Sequence, residues 1–466
     1  MESGHCNMAF TGGRSAGCRV CPCSNLADHA RPAVAHLRRV LTFRLAAVVL
    51  WFAGASCPHR AFADDVHAIE TFPVESDGDL ILLPVGIGGQ QYSFVFDTGC
   101  FGLVFDVKLK PQLGIAVQGG VSATPTGGVS VEAFHCPVVD LGRIRLRGDP
   151  LVWTFDLQSI REFTGHNVMG LIGVEALLPY IIELDFDAGE LRFLDGVRAH
   201  AGTELSLSPT NGGQLAIPVH VPIGGSIPFV LDTAFVGSGA LTDETFTKLR
   251  DAGELFRPYS AHTQYVGGAR RTRIGALSAI SVGRDTYEGL DFSSAGPDNI
   301  LGTEILSRKN VTFDFPEKKV YLADRKRKRE PRQRDKSGIA ILRRGGDTLV
   351  TVVAEGSPAA SAGIRKDDEL LQVGDMDVAN ERLFVVRMRL TEEHTEEELL
   401  IRRGRDMLRV RIPFRDWRIY DREQSRKTPG GEKPPFQKKD PMPHRTMPDP
   451  KTRRVRKNGS ERFDFP

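Results

Sequence analysis

One six-residue pattern occurs twice in this chain. Phe94-Val95-Phe96-Asp97-Thr98-Gly99 is echoed by Phe229-Val230-Leu231-Asp232-Thr233-Ala234. Each copy follows an alternating apolar strand with a glycine turn, Ile81 to Gly89 and Leu215 to Gly225. Further on, Leu171-Ile172-Gly173 matches Ile300-Leu301-Gly302, and an Asp-Phe pair follows each glycine by twelve residues, at Asp185-Phe186 and Asp314-Phe315. Both copies then enter a short apolar strand, Leu191 to Leu194 and Val320 to Leu322. Between these landmarks Gly127-Gly128 and Gly267-Gly268 each mark a hairpin. Landmarks repeated in one order constrain the fold more tightly than composition does. They define two homologous β-lobes, 70–198 and 203–324.

The repeated aspartate carries the chemistry. An apolar strand that runs into Asp-Thr-Gly sets a carboxylate at a buried strand end, and burial raises its pKa. Asp97 and Asp232, one per lobe, are expected to face each other across a pseudo-twofold axis. Two neighbouring carboxylates do not both ionise easily, so they share a proton and titrate as a unit. The ionised member takes a proton from water while the protonated member polarises a carbonyl. That is a hydrolytic site for an amide bond, with no cofactor, no metal and no covalent intermediate. Thr98 and Thr233 supply hydroxyls able to bond across the lobe interface, and Gly99 lets backbone approach a carboxylate closely. Gly127, Gly128, Gly267 and Gly268 are flap candidates, at hairpin tips able to close over a substrate.

On these residues the chain resembles the aspartic peptidases, both pepsin-like and bacterial retropepsin-like, here with two lobes fused in one chain. The resemblance covers about 70–324 and rests on Asp97-Thr98-Gly99, Asp232-Thr233-Ala234 and the elements ending at Gly173 and Gly302. It implies a mainly β fold of two closed-barrel-like lobes with the active site between them. It also implies Asp97 and Asp232 as the catalytic dyad, loop support from Thr98, Gly99, Thr233 and Ala234, and endopeptidase activity on polypeptides. The chain departs from the family at Ala234, where glycine is usual, and at Cys100 and Phe235, where small Ser or Ala is usual. These departures leave open a second reading, a peptide-binding envelope protein that keeps the fold without a competent dyad.

A basic linker, 325–337, opens with Arg325-Lys326-Arg327-Lys328-Arg329. From Gly338 the pattern changes. Leu349 to Val353 reads as a strand, followed by Gly356-Ser357-Pro358-Ala359-Ala360-Ser361-Ala362-Gly363-Ile364 and then Asp367-Asp368-Glu369-Leu370-Leu371. Residues 338–415 resemble a small α+β PDZ domain of the kind attached to bacterial envelope proteases. Leu383 to Leu390 fits the groove helix, and Asp367 stands where glycine is usual. The resemblance implies that a peptide or chain terminus adds as a strand along an exposed edge. Backbone amides at Gly338, Ile339, Ala340 and Ile341 would capture its carboxylate.

Length and composition agree with this division. The 466 residues suit roughly three domains of ~150. A formal charge of +2 gives no global sign of a nucleic-acid binder, and none is expected, but it conceals an acidic body: 64–324 carries −14 and 325–466 carries +11. Residues 1–63 read as a leader with a signal peptide: Arg38, Arg39 and Arg44 precede the apolar run Leu45 to Ala55, and Ala61-Phe62-Ala63 suits a signal peptidase. Export to the periplasm, envelope or medium is expected, with an uncleaved membrane anchor as the alternative. Of the cysteines, Cys100 and Cys136 would remain in the mature chain, their pairing undetermined by sequence. The Pro-rich, charged stretch 421–466 reads as a disordered basic tail. Two fused lobes predict a monomer.

Overall fold

The strand that carries Asp97 lies deep within its sheet. In the computed structural model, which describes residues 66–414 except 125, 147, 297, 330–334 and 392–395, Gln90–Phe96 pairs antiparallel with Leu82–Ile87 and parallel with Val168–Ile172. The segments expected to be a leader with its export signal (1–63) and a basic tail (421–466), and the middle of the linker, lie outside the described residues. Gln90–Phe96 begins exposed and ends fully buried. A two-glycine turn joins it to its partner, with Gly88 at φ 58 and Gly89 at φ 82, left-handed angles that glycine adopts without steric cost.

The described chain is mainly β, in curled half-barrel sheets. The first sheet runs from the hairpin Gln118–Thr124 and Gly127–His135 through Leu151–Phe155, Leu103–Asp106, Val168–Ile172, Gln90–Phe96 and Leu82–Ile87 to Val139–Leu141 and Ile144–Leu146. The second repeats that order strand for strand. It runs from the hairpin Leu255–Tyr265 and Gly268–Leu277 through Asp291–Gly296, Gly239–Thr242, Ile300–Leu301, Ser226–Leu231 and Leu215–His220 to Ala279–Val282 and Asp285–Glu288.

A third sheet of six strands joins the two copies. At its centre Ile181–Asp185 lies antiparallel to Lys309–Asp314, with Ile182 opposite Phe313 and Leu184 opposite Val311. These strands end in the Asp-Phe pairs of the sequence repeat. Each copy adds a hairpin partner, Glu190–Leu194 and Lys319–Asp324, and an outer strand, Ala68–Pro73 and Thr203–Ser206. One apolar core runs through both copies and this shared sheet, from Phe94 and Phe105 (ring centroids 5.2 Å apart) to Phe96 against Phe313 at 6.4 Å.

Residues 339–412 form a separate sheet with its own core, which includes Ile341, Val350, Leu370, Val386, Leu399 and Ile401. Its strands run in the order Ile339–Arg344, Asp347–Val353, Glu369–Val373, Glu397–Arg403 and Asp406–Ile412, so Ile339–Arg344 is an edge strand. Helix Pro358–Ser361 is capped by the Ser357 hydroxyl, which accepts from the Ala360 amide, and has proline in its first turn. Helix Leu383–Arg389 completes the module. Asp367 sits at φ 69, a left-handed position that aspartate tolerates better than most residues, which accounts for glycine being usual there.

Candidate active site

Both aspartates leave their strands at equivalent points. The Asp97 amide donates to the Ile172 carbonyl at 3.1 Å and the Asp232 amide to Leu301 at 2.9 Å. The chain then turns back so that its own amides meet the carboxylate. Oδ1 of Asp97 accepts from the amides of Gly99 (2.9 Å) and Cys100 (3.0 Å). Oδ1 of Asp232 accepts from Ala234 (2.8 Å) and Phe235 (2.9 Å). The other oxygen of each, Oδ2, is buried with no hydrogen-bond partner among the described residues. Both side chains are 0% exposed.

The two loops are tied together by their threonines. The Thr98 hydroxyl donates to the Leu231 carbonyl at 2.6 Å, and the Thr233 hydroxyl donates to Phe96 at the same distance. Each hydroxyl also accepts from the opposite threonine's amide, at 3.0 and 3.2 Å. Gly99 lies so close to Asp232 that a Cβ there would overlap the carboxylate. Ala234 holds the corresponding position in the second loop with its methyl buried, and its amide still reaches Asp232. The bulky Phe235 lies in a buried cluster with Val230, Tyr265 and Ile300. Behind the loops, a Cβ on Gly173 would strike the Gly102 carbonyl, and one on Gly302 the Gly237 carbonyl.

Burial pushes the carboxyl of Asp97 well above the usual carboxylate range, and the nearby charge of Asp232 adds to the effect. Burial raises Asp232 to about 7, against the opposing pull of the Ala234 and Phe235 amides. The pair therefore retains a proton at pH values where exposed aspartates have lost theirs. Cys100, beside the dyad, is a buried free thiol whose pKa burial and the two aspartates push well up; Cys136 is also free. No disulfide joins Cys100 and Cys136 in this structure.

The glycine pairs lie where the two long hairpins turn. Gly127 opens the outgoing strand of the first at φ 126, and Gly267 turns the second at φ 90, followed by Gly268 at φ 130. At Gly128 a Cβ would come within 2.7 Å of Val121 across the hairpin. The two tips touch: the Thr126 hydroxyl donates to the Val266 carbonyl at 3.3 Å. Val266 packs on the apolar cluster that Cys100 and Ala234 share with Leu157, Ile160 and Phe163.

Gly338, Ile339, Ala340 and Ile341 stand apart from the dyad, in the C-terminal module, and two of their amides have partners within the chain. The Gly338 amide donates to Asp335 Oδ2 at 2.9 Å, and the Ile339 amide to Ser337 Oγ at 3.1 Å. The chain's own carboxylate, folded back from Asp335, already fills this turn. Ala340 and Ile341 pair with Val352 and Val350 in the adjacent strand.

Sequence reasoning missed the helix Gln158–Thr164. Its Ser159 hydroxyl donates to the Tyr265 carbonyl at the base of the second tip, 3.3 Å away. Its Arg161 reaches Asp106 Oδ2 at 2.6 Å in a buried ion pair, and the Leu157 amide meets the same oxygen at 2.9 Å. No motif marks these residues, because their partners are brought together only by folding.

Residues 83–176 match the family described as Aspartyl protease. The matched stretch contains Asp97-Thr98-Gly99 and Leu171-Ile172-Gly173, the first half of the site. The match supports an aspartyl protease family and, with it, peptidase activity in general. No curated relative matches the chain.

Proposed function

We propose that this chain is an exported aspartic endopeptidase in which Asp97 and Asp232 act as one general acid–base pair. The observation that carries the reading is the matched pair of carboxylates. Each is cradled at Oδ1 by two amides of its own loop and left unpartnered, among the described residues, at Oδ2. The two Oδ2 atoms offer one proton acceptor and, on the protonated member, one donor.

The ionised carboxylate removes a proton from a water as its oxygen bonds to the peptide carbonyl carbon, and the protonated carboxyl gives its proton to the carbonyl oxygen. A tetrahedral diol results. On collapse the first carboxyl returns its proton to the departing amine nitrogen as the C–N bond breaks, and the second takes the hydroxyl proton of the diol. One shared proton is thereby restored to the pair. The threonine cross-links hold both carboxylates in one geometry through the cycle. Residues 338–415 we read as a PDZ domain that binds substrate or partner peptides.

The second reading, a peptide-binding envelope protein without turnover, draws on the full burial of both carboxylates and on Ala234 in place of glycine. Digestion of a mixed peptide pool from acid to neutral pH, with and without a transition-state-type aspartic protease inhibitor, separates the two. Cleavage that the inhibitor blocks and that Asp97→Asn abolishes is expected. Unchanged cleavage by Asp97→Asn overturns the dyad, and peptide binding with no cleavage at any pH favours the second reading.

A further inference from the structure

We propose that the groove of the C-terminal module is occupied by the chain itself, and that this docking holds the second hairpin tip down on the dyad. The inference rests on the peptidase and PDZ readings above for its meaning, but on contacts alone for its geometry. The strand Ile339–Arg344 is the edge of its sheet. An extended peptide adds at such an edge through main-chain hydrogen bonds. Here the helix Gln158–Thr164 lies alongside that strand instead.

The contacts are specific and opposite in charge. Arg344 grips Glu162 with both ends of its guanidinium, at 2.9 and 2.8 Å. Arg387, on helix Leu383–Arg389, lies 4.1 Å over the Phe163 ring. It also donates to the Phe163 carbonyl at 2.5 Å and to the carbonyl of Ile341, in the edge strand, at 2.7 Å. Arg387 thus ties the foreign helix and the edge strand together. Phe384 and Met388 of the same module helix pack into the cluster of Leu157, Ile160 and Phe163. At the helix start Arg382 reaches Asp79 at 2.9 Å and Asp77 at 2.5 Å. Inside the module, the turn expected to hold a ligand carboxylate is filled by Asp335.

The docked helix is also a support of the catalytic cleft. Ser159 holds the Tyr265 carbonyl, and Val266 packs on the cluster to which Ile160, Phe163, Ala234 and Cys100 all belong. A path therefore runs from Arg387 to Phe163, along one turn of the helix to Ser159, and through its hydrogen bond to the Tyr265 carbonyl at the base of the tip. Release of the helix from the groove removes the support under that tip. A ligand that competes for the groove is a peptide with an acidic residue followed by an aromatic one, the chemistry of Glu162-Phe163. Such a ligand would open the cleft by displacing its own internal counterpart.

Hydrogen exchange on the full chain tests this without any need for turnover. Four proteins are compared with the parent: Arg387→Ala, Arg344→Glu, Glu162→Arg, and the exchanged pair Glu162→Arg with Arg344→Glu. The single changes are expected to speed exchange severalfold in 158–166 and equally in 262–268, and the exchanged pair to restore protection in both. Unchanged exchange in the shared sheet, 181–194 and 309–324, verifies that each variant is folded. Faster exchange in 158–166 with 262–268 unmoved overturns the coupling, and no change in either segment overturns the docking. If the chain is a peptidase, the single variants also cleave faster. If it is not, the exchange result stands by itself.

Discussion

Gly99 and Asp232 belong to different copies of the repeat, yet the backbone of one lies against the carboxylate of the other so closely that a methyl group would not fit. The equivalent position, Ala234, carries a methyl that the second loop has accommodated. The site is therefore pseudo-symmetric in its hydrogen bonds and asymmetric in its steric margin. Gly99→Ala is expected to displace Asp232 and to lower kcat/KM about 100-fold or more, in line with the penalty for misplacing a catalytic group. Ala234→Gly is expected to stay within about threefold of the parent. Steady-state kinetics on one peptide substrate checks both, and equal losses at the two positions would refute the asymmetry.

The dyad makes stability depend on pH with a definite sign. Asp232 holds its proton up to about 7 in the folded chain, whereas its reference value is 3.8. Unfolding between those values releases a proton, so rising pH favours the unfolded state. The stabilisation is complete below pH 3.8 and is lost as pH rises through about 7. Each unit between the two values is worth about 1.4 kcal/mol for one such group. Asp232→Asn removes this group's share while buried Asp97 keeps its own, so the variant's Tm advantage over the parent should grow from pH 4 to pH 7 and then level off. Thermal unfolding across that range is the measurement, and a constant difference would contradict the buried shared proton.

Thr233 serves two buried backbone groups at once, the Phe96 carbonyl and the Thr98 amide. Thr233→Val keeps the shape and orphans both groups. A loss on the order of 2–4 kcal/mol is expected, from about 1–3 kcal/mol for each unsatisfied group. Thr98→Val should cost a similar amount, and the double variant less than the sum because the two residues share one network. Urea midpoints give the values; a loss under about 0.5 kcal/mol for either single variant would show that the cross-link is dispensable.

The thiols should react in a fixed order. Cys136 is half-buried, whereas Cys100 is buried beside two aspartates, and burial together with their charge keeps its thiol protonated. The thiolate is the reactive form. Iodoacetamide at mildly alkaline pH is expected to label Cys136 well before Cys100 in the native chain, with both labelled in denaturant. Peptide mass mapping reads the order, and early labelling of Cys100 would mean that the dyad region is open to solvent.

Much of the architecture is written locally and can be read in chain order. The apolar run Phe94 to Phe96 ending in Asp97, and its copy ending in Asp232, place each carboxylate at a strand end because a buried strand that stops at a polar residue must turn there. Gly173 and Gly302 are legible as matched landmarks, and the packing explains their identity, since backbone carbonyls leave no space for a side chain. The hairpins at Gly127 and Gly267 follow from the positive φ their turns require.

Other features depend on segments far apart in sequence, and no local signal announces them. No motif marks Glu162 and Phe163, and Arg344 and Arg387 reach them from 182 and 224 residues further along. The sequence by itself determined the repeat, the two aspartates and the β character, because strand alternation and turn chemistry act over a few residues. Only the tertiary structure decided that the two carboxylates share one buried space, that the hairpin tips touch, and that the groove of the last module is filled from within. These depend on packing between distant surfaces, which periodicity and spacing do not encode.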